Sequence, residues 1–221
     1  MQKDFKLIQI EKGLSLQNPN DQKIKPVIID FTSGKSEHRR KFGGGLGQHI
    51  AKAVGVKGNY KPYVIDATAG MGRDSFVLAT LGCKVLMLER NKTIFKLLQD
   101  GLERGSESEE IAEIIRRMKL INTDAIDYIG KISDNEKPDV IYLDPMFPHS
   151  KKSRLVKKEM RIFRELVGDD LDAEKLLKIS LSKAKKRIVV KRPAKSEFLG
   201  GLEPNFQIKG RVNRFDVYLP K

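Results

Sequence analysis

One short segment combines residue types that could hold and activate an amine. It reads Asp144-Pro145-Met146-Phe147-Pro148 and follows directly on the apolar run 140–143. The Asp144 carboxylate and the Pro145 carbonyl can accept the two N–H bonds of a planar amine, which aims the nitrogen lone pair and stabilises positive charge developing on it. Phe147 offers a face on which a flat base can stack, and the prolines stiffen the turn. We predict that Asp144, Pro145 and Phe147 carry the chemistry; the alternative is a proline-rich turn with Phe147 in the core.

A glycine-containing turn at residues 66–74 (DATAGMGRD) is the second candidate site. It stands between a strand-like run and a helix-like run, where glycines let the main chain approach a ligand closely. The start of a helix also favours the negative charge of a carboxylate or phosphate. Ser75 stands where a dinucleotide-binding turn has its third glycine or alanine, which disfavours a dinucleotide. A tight turn without a ligand is the alternative. The ligand-binding residues predicted in this turn are Asp66, Gly70, Gly72, Arg73 and Asp74.

Acidic residues at the ends of the next two strand-like runs extend this site. Glu89, followed by Arg90, lies about 20 residues beyond the glycine turn, where an acid can accept both ribose hydroxyls of an adenosine. Asp124, followed by Ala125, could accept from an adenine amino group. A lone aspartate at such a position is often only a turn or cap residue, so that alternative stays open for Asp124. Together these positions predict a pocket for a nucleoside cofactor.

The charge of the chain favours a polyanionic partner. Forty-three Lys and Arg against 29 Asp and Glu give a net charge of +14, and such an excess attracts nucleic acid. A basic stretch at residues 151–161 follows the Asp144 segment, with apolar residues at near-helical spacing that would face the core. A charge run of this kind can also be only a solvated face. Charge alone does not distinguish RNA from DNA, and the phosphate contacts predicted for such a partner are Arg39, Arg40, Lys151, Lys152, Lys157, Lys191 and Arg192.

The arrangement of apolar runs predicts an α/β fold. From residue 62 onward, strand-like and helix-like patterns alternate, which is typical of a parallel sheet. Strands are expected at 63–67, 84–88, 119–122, 140–143 and 187–191, with helices after residue 72 and at 92–102, 106–117, 151–166 and 172–183. The last two strand-like runs, 206–209 and 215–219, are too close for a crossover and predict an antiparallel hairpin. This pattern favours the Rossmann-like methyltransferase sheet over a dehydrogenase sheet.

The N-terminal residues have β character and predict a small extension. Runs at 7–10 and 14–16 flank Lys12-Gly13 and suggest a hairpin, residues 26–31 suggest a further strand, and a basic cluster at 38–41 runs into a glycine-rich turn before a short helix. We expect a β extension at 1–35 and a catalytic domain at 36–221.

Composition also narrows the class of protein. Apolar runs are too short to cross a bilayer, and the first ten residues lack the core of a secretion signal, so we expect a cytoplasmic protein. Three histidines and one cysteine show no metal-ligand spacing, and no metal is expected. The cysteine, Cys83, lies in a strand-like run and is expected to be buried.

These motifs together resemble the ribosomal RNA small subunit methyltransferase J family, a group of class I S-adenosylmethionine (SAM)-dependent enzymes. The matching segments, spread from about residue 36 to the end, are RRKFGGG (39–45), VIDATAGMGRD (64–74), MLERN (87–91), YLDPMFPH (142–149), VKKEM (156–160), VVKRP (189–193) and RFDVY (214–218). Residues 1–35 look shorter and more divergent than the family's leading β region.

The resemblance implies an activity, a cofactor and a set of contacts. The activity is methylation of the exocyclic N2 amine of a guanine in small-subunit (16S) ribosomal RNA, with ribosomal RNA or the small ribosomal subunit as partner. The cofactor is SAM, and the contacts implied for it are Arg73, Asp74, Glu89, Arg90, Asp124, Ala125 and Asp144. The alternatives are an amino methyltransferase acting on adenine or on protein glutamine, and a non-catalytic RNA-binding or ribosome-assembly protein. The oligomeric state is left open.

Overall fold

A seven-stranded sheet organises the structure, a computed structural model that describes residues 5–18, 25–146, 166, 168 and 170–220. Its strands are β3 (Tyr63–Asp66), β4 (Lys84–Glu89), β5 (Met118–Asn122), β6 (Val140–Leu143), β7 (Arg187–Pro193), β8 (Phe206–Lys209) and β9 (Asn213–Tyr218). Their spatial order is β5-β4-β3-β6-β7-β9-β8. The strands β3 to β7 pair in parallel, and β9 pairs antiparallel with β7 and β8. The predicted mostly parallel sheet with a closing antiparallel hairpin is confirmed.

Helices cover both faces of this sheet. They are α1 (Gly34–Phe42), α2 (His49–Val54), α3 (Arg73–Thr80), α4 (Lys92–Ser106), α5 (Ala112–Ile115), α6 (Ala125–Lys131) and α7 (Ala173–Ser180). Alternate residues of a strand point to opposite faces, and the buried residues divide accordingly. Val64 packs on the face covered by α2, α3 and α4, whereas Ile65 packs on the face covered by α6 and α7. Burial on both faces explains why these strands read as continuous apolar runs. No helix among the described residues is long and apolar enough to cross a membrane.

The order of the strands creates a crevice beside β3. The chain builds outward from β3 through β4 to β5, then returns to add β6 on the opposite side of β3. Loops leaving the carboxyl ends of β3 and β6 therefore diverge, and ligands of open α/β sheets bind at such a point. The glycine turn follows β3 and the Asp144 segment follows β6, so both predicted motifs meet there.

The N-terminal region differs in part from the prediction. The hairpin is formed by β1 (Lys6–Ile10) and β2 (Gly13–Gln17). The strand predicted at 26–31 is wrong, because Val27 makes only an isolated bridge to Leu16 and the Asp30 carboxylate then accepts hydrogen bonds from Thr32 and Ser33, which ends the extended stretch. Leu16 and Val27 are buried in the same core as α3. The domain boundary near residue 35 stays a prediction.

The helices differ from the prediction at three places. The basic cluster at 38–41 lies within α1, which was not predicted, and the helix predicted at 106–117 is reduced to α5. The sequence analysis missed α6, which Asp124 caps by accepting from the N–H groups of Ile126 and Asp127. Helices were predicted from apolar periodicity, which α1 lacks and the short α6 is too brief to display. The predicted helix at 151–166 lies almost wholly outside the described residues.

Candidate active site

A cavity of about 340 Å³ opens at the carboxyl ends of the central strands. Loops that follow β3, β4, β5 and β6 contribute to its lining, together with one side chain from β7. The predicted site residues that it brings together are Asp66, Gly70, Arg73, Asp74, Glu89, Arg90, Asp124, Ala125, Asp144, Pro145 and Lys191. The cavity is acidic although the protein is basic, because seven carboxylates and three Lys or Arg side chains line it within the described part of the chain.

Asp144 stands at the end of β6, where it faces the cavity with 39% of its side chain exposed. Its main-chain N–H donates to the Thr68 hydroxyl at 2.6 Å, and the Thr68 N–H donates to Asp66 at 3.2 Å. Pro145 is buried beside it. The glycine turn after β3 thus holds the main chain of the Asp144 segment in place. The sequence analysis missed Thr68, since a threonine inside a glycine turn carries no distinctive signal.

Lys191 lies within this site. The sequence analysis assigned it to the RNA-contacting surface, but its ammonium nitrogen lies 2.7 Å from an Asp144 carboxylate oxygen and 2.7 Å from an Asp74 oxygen. The Tyr142 hydroxyl donates to that same Asp74 oxygen at 2.7 Å. Burial alone would lower the pKa of Lys191, but the two carboxylates raise it above its usual value, which keeps the side chain cationic.

Asp66 lies beneath the glycine turn and is only 2% exposed. It accepts hydrogen bonds from the Ser75 hydroxyl at 2.5 Å and from the Thr68 N–H. Burial raises the pKa of Asp66 to about 7, and the two hydrogen bonds only partly offset that rise. Ser75, the residue that argued against a dinucleotide site in the sequence, therefore donates a hydrogen bond that holds the Asp66 carboxylate in place.

Glu89 joins the end of β4 to the glycine turn. Its two carboxylate oxygens accept from the N–H of Gly70 at 3.0 Å and the N–H of Asn91 at 2.7 Å. Burial raises the pKa of Glu89, and these N–H donors oppose the rise. Each oxygen retains a second lone pair for a ligand hydroxyl.

Gly72, a predicted ligand-binding residue, does not line the cavity. It precedes α3 at a φ of 67°, and a Cβ there would lie 2.8 Å from the Leu98 side chain.

Arg90 connects the loops that follow β4 and β5 to the Asp144 segment. Its guanidinium lies 2.5 Å from Asp170, 2.6 Å from Asp172 and 3.7 Å from Asp124. Asp170 in turn accepts from the Met146 N–H at 2.6 Å and donates its own N–H to the Met146 carbonyl at 3.0 Å. Asp170 thus fixes the main chain two residues beyond Asp144. Sequence reasoning missed it because no motif surrounds it.

The loop after β7 is held by two buried arginines. Arg192 donates to the Ser196 hydroxyl and the Glu197 carbonyl, and Arg214 donates to the Ser196 carbonyl at 2.5 Å. Arg214 also forms a buried ion pair with Asp216, at 2.8 Å. Arg192 was predicted to contact RNA, but it is 8% exposed and points into this loop, which does not support phosphate binding.

The other predicted RNA contacts are less completely described. Arg40 pairs with Glu110 at 2.5 Å. Arg39 lies in α1, but its side chain is outside the described part, as are Phe147, Lys151, Lys152 and Lys157.

Cys83 is buried as predicted, and burial raises its pKa to about 11. Among the described residues, no group of three or more His, Cys, Asp and Glu side chains is arranged to hold a metal ion.

Comparison with known proteins decides the family. A family model described as "Putative SAM-dependent methyltransferase" matches residues 1–220. Ribosomal RNA small subunit methyltransferase J of Haemophilus influenzae (strain PittGG) is 52% identical over 214 residues, covering 96% of this chain and 82% of the relative. The protein of the same name from Pseudomonas paraeruginosa is 50% identical, covering 100% of this chain and 84% of the relative. The chain belongs to the ribosomal RNA small subunit methyltransferase J family.

A solved member of the wider SAM-dependent class has the same architecture. The crystal structure of a SAM-dependent methyltransferase from Neisseria gonorrhoeae matches with a TM-score of 0.79 and 38% sequence identity. The match covers 100% of this chain and 84% of that one. The resemblance inferred from the separate motifs is therefore confirmed over the whole chain. As a methyltransferase J family member, the protein is a SAM-dependent methyltransferase.

Proposed function

We propose that this enzyme transfers a methyl group from SAM to the exocyclic N2 amine of a guanine in small-subunit ribosomal RNA. One observation carries the proposal: Asp144 and Pro145 follow the central strand β6 and line the same cavity as the glycine turn, Glu89 and Asp124. The relatives' name supports the substrate class. The choice of guanine N2 rests on the family resemblance, whereas the Asp144 and Pro145 acceptors support only the broader class of planar amines.

The composition of the cavity fits SAM. The excess of carboxylates suits a ligand that carries an ammonium and a sulfonium. Glu89 ends β4, and Asp124 follows the neighbouring strand β5, so both face the same cavity. We assign Glu89 to the ribose hydroxyls, and Asp124 with Ala125 to the adenine. Asp66, Gly70, Gly72, Arg73 and Asp74 form or support the turn near the methionine part, with Arg90 anchoring the loops. When bound, SAM supplies a methyl group on a positively charged sulfur.

The residues around Asp144 prepare the amine for attack. The Asp144 carboxylate and the Pro145 carbonyl accept the two N–H bonds, so the nitrogen lone pair points toward the methyl carbon. The new N–C bond forms as the C–S bond breaks; the bonding pair stays on sulfur and the positive charge moves to nitrogen. Asp144 stabilises that charge and can accept the surplus proton before water removes it. Phe147 is proposed as the stacking face for a guanine turned out of its RNA strand.

We further propose that basic residues outside the cavity bind the RNA and that the enzyme acts in the cytoplasm. Arg39, Arg40, Lys151, Lys152 and Lys157 are proposed to contact phosphates, consistent with the charge of +14. Residues 1–35 are proposed as a β extension of a methyltransferase domain spanning 36–221.

A methyl-transfer assay tests the proposal. Purified enzyme is incubated with SAM labelled on its methyl group and with small-subunit RNA, assembled small subunits, large-subunit RNA, DNA or total protein. We expect label in small-subunit RNA, as N2-methylguanosine by nucleoside mass spectrometry. Asp144→Ala should abolish transfer while remaining folded, and the exposed Asp127→Asn in α6 is the matched control. Label on adenine, on glutamine or in large-subunit RNA, or a fully active Asp144→Ala enzyme, would refute the assignment.

A further inference from the structure

An ammonium group lies beside the carboxylate that is proposed to bind the amine. Lys191 extends from β7, the strand next to β6, and its nitrogen lies 2.7 Å from both Asp144 and Asp74. Its side chain is 21% exposed, and both of its close charged partners are carboxylates lining the cavity. An ammonium held in this way is poorly placed to bind a phosphate on the surface. Its position instead suggests a role in the transfer step.

Lys191 contacts one carboxylate oxygen of Asp144, Oδ2, and does not contact the other, Oδ1. Both the salt bridge and the hydrogen bond involve Oδ2, and within the described part of the chain no protein donor is recorded on Oδ1. The Asp144 main chain is fixed separately by Thr68. The carboxylate is therefore held at its backbone and at one oxygen, and the second oxygen lies in a cavity that a substrate can enter.

We propose that Lys191 is a positioning residue for methyl transfer, holding Asp144 ionised and oriented so that its second oxygen accepts an N–H of the substrate amine. This inference rests on the proposed function. Only an ionised Asp144 is acceptor-only; a protonated carboxyl carries a donor that can face the amine hydrogens. Lys191 also leaves the Asp74–Lys191–Asp144 group with one net negative charge, which complements the cation that forms on nitrogen.

The charges around Asp144 explain why a fixed cation is required. Asp74 faces it from α3, Asp170 from the segment before α7 and Asp66 from the end of β3, while Lys191 faces it from β7. Tyr142 on β6 interacts with Asp74, Asp144 and Asp66. Two further cations, Arg73 and Arg90, also line the cavity. Burial on the cavity floor raises the pKa of Asp144, Lys191 opposes this rise, and the neighbouring acids add to it.

The direct test replaces the cation and follows the pH dependence of turnover. In Lys191→Met, loss of an opposite charge in direct contact should raise the pKa that controls the acid limb of kcat by about 1 to 3 units. The rate at a fixed pH below the new limb should fall about tenfold for each unit of that shift. The KM for RNA and the salt dependence of RNA binding should stay within about twofold, because no phosphate contact is lost.

Two further variants and one control sharpen this test. Lys191→Arg retains the charge and should keep the acid limb near its wild-type position, even if kcat falls. Adding Asp74→Asn to Lys191→Met removes the repelling carboxylate, so the acid limb should move back toward lower pH when measured at saturating SAM. Lys84→Met removes an exposed lysine at the start of β4, at the end of the strand away from the cavity, and should leave the pH profile of kcat unchanged.

The outcomes separate this inference from the proposed function. Wild-type enzyme that fails to methylate small-subunit RNA would refute the proposed function itself. An active wild type combined with an unshifted acid limb in Lys191→Met would overturn the role of Lys191 alone. The role of Lys191 would also be overturned if Lys191→Met mainly raised the KM for RNA and weakened the salt dependence of RNA binding, because that result would identify a phosphate contact. Circular dichroism and SAM affinity of Lys191→Met verify that the protein is folded.

Discussion

The buried carboxylate of Asp66 should make the stability of this protein depend on pH in a direction opposite to that of most acids. The folded protein holds a proton on Asp66 up to about pH 7, whereas the unfolded chain releases it near a pKa of 3.8. Between these values the folded state binds more protons than the unfolded state. The free energy of unfolding contributed by Asp66 therefore falls as the pH rises through this window, and it becomes constant above about pH 7.

The size of this effect follows from the two pKa values. The gap is about 3 units, and each unit is worth about 1.4 kcal/mol, so ionising Asp66 should cost on the order of 4 kcal/mol between about pH 4 and 7. Small domains unfold with about 5–15 kcal/mol in total, so the loss is measurable. In Asp66→Asn, the amide can still accept from Thr68 and can donate to the Ser75 oxygen, which removes the titration without deleting the side chain.

Urea unfolding followed by circular dichroism from pH 4.5 to 8 measures the effect. We expect the unfolding free energy of Asp66→Asn minus that of the wild type to increase with pH by about 3 to 4 kcal/mol and then to level off. Glu109→Gln, which neutralises an exposed acid, is the control and should give a nearly flat difference. Parallel curves for Asp66→Asn and wild type would show that Asp66 does not carry the raised pKa.

Further predictions concern stability and cofactor binding. Gly72→Ala should cost about 2 kcal/mol in urea unfolding, since it adds a clash to a positive φ, whereas Gly58→Ala has a positive φ but open space and should cost about 1 kcal/mol. Arg214→Met should cost about 3–5 kcal/mol by the same measurement, because it leaves Asp216 buried without its cation; a loss below 1 kcal/mol would contradict this. SAM at about 100 times its Kd should stabilise the wild type by about 2.7 kcal/mol in a thermal shift assay, and Glu89→Gln should need several times more SAM for the same shift.

The sequence predicted the sheet and most of the residues that line the cavity because their signals are local. Buried parallel strands read as apolar runs, and the ends of these runs place Asp66, Glu89 and Asp144 on one edge of the sheet. The residues that contact Asp144 and the main chain beside it could not be found in this way. Lys191 lies 47 positions away in the chain and Asp170 lies 24 positions from Met146, so only the folded geometry reveals these contacts.

Where the structure differs from the prediction or gives it no support, the sequence carried no local signal of the difference. The basic residues of α1 and the short α6 lack an extended apolar stripe, so periodicity gave no indication of a helix. Arg192 and Lys191 were assigned to RNA from charge alone, although each is mostly buried and makes hydrogen bonds within the protein. A basic residue inside a strand is as consistent with an internal partner as with a polyanion, and sequence does not distinguish the two.

The hydrogen-bonded pair formed by Met146 and Asp170 has a consequence for engineering. It ties together the two chain positions that bracket residues 147–169, so the intervening segment begins and ends at one fixed anchor. Exchanging residues 147–169 for the corresponding stretch of a relative should therefore leave the Asp144 main chain in place, because Thr68 holds it independently of that segment.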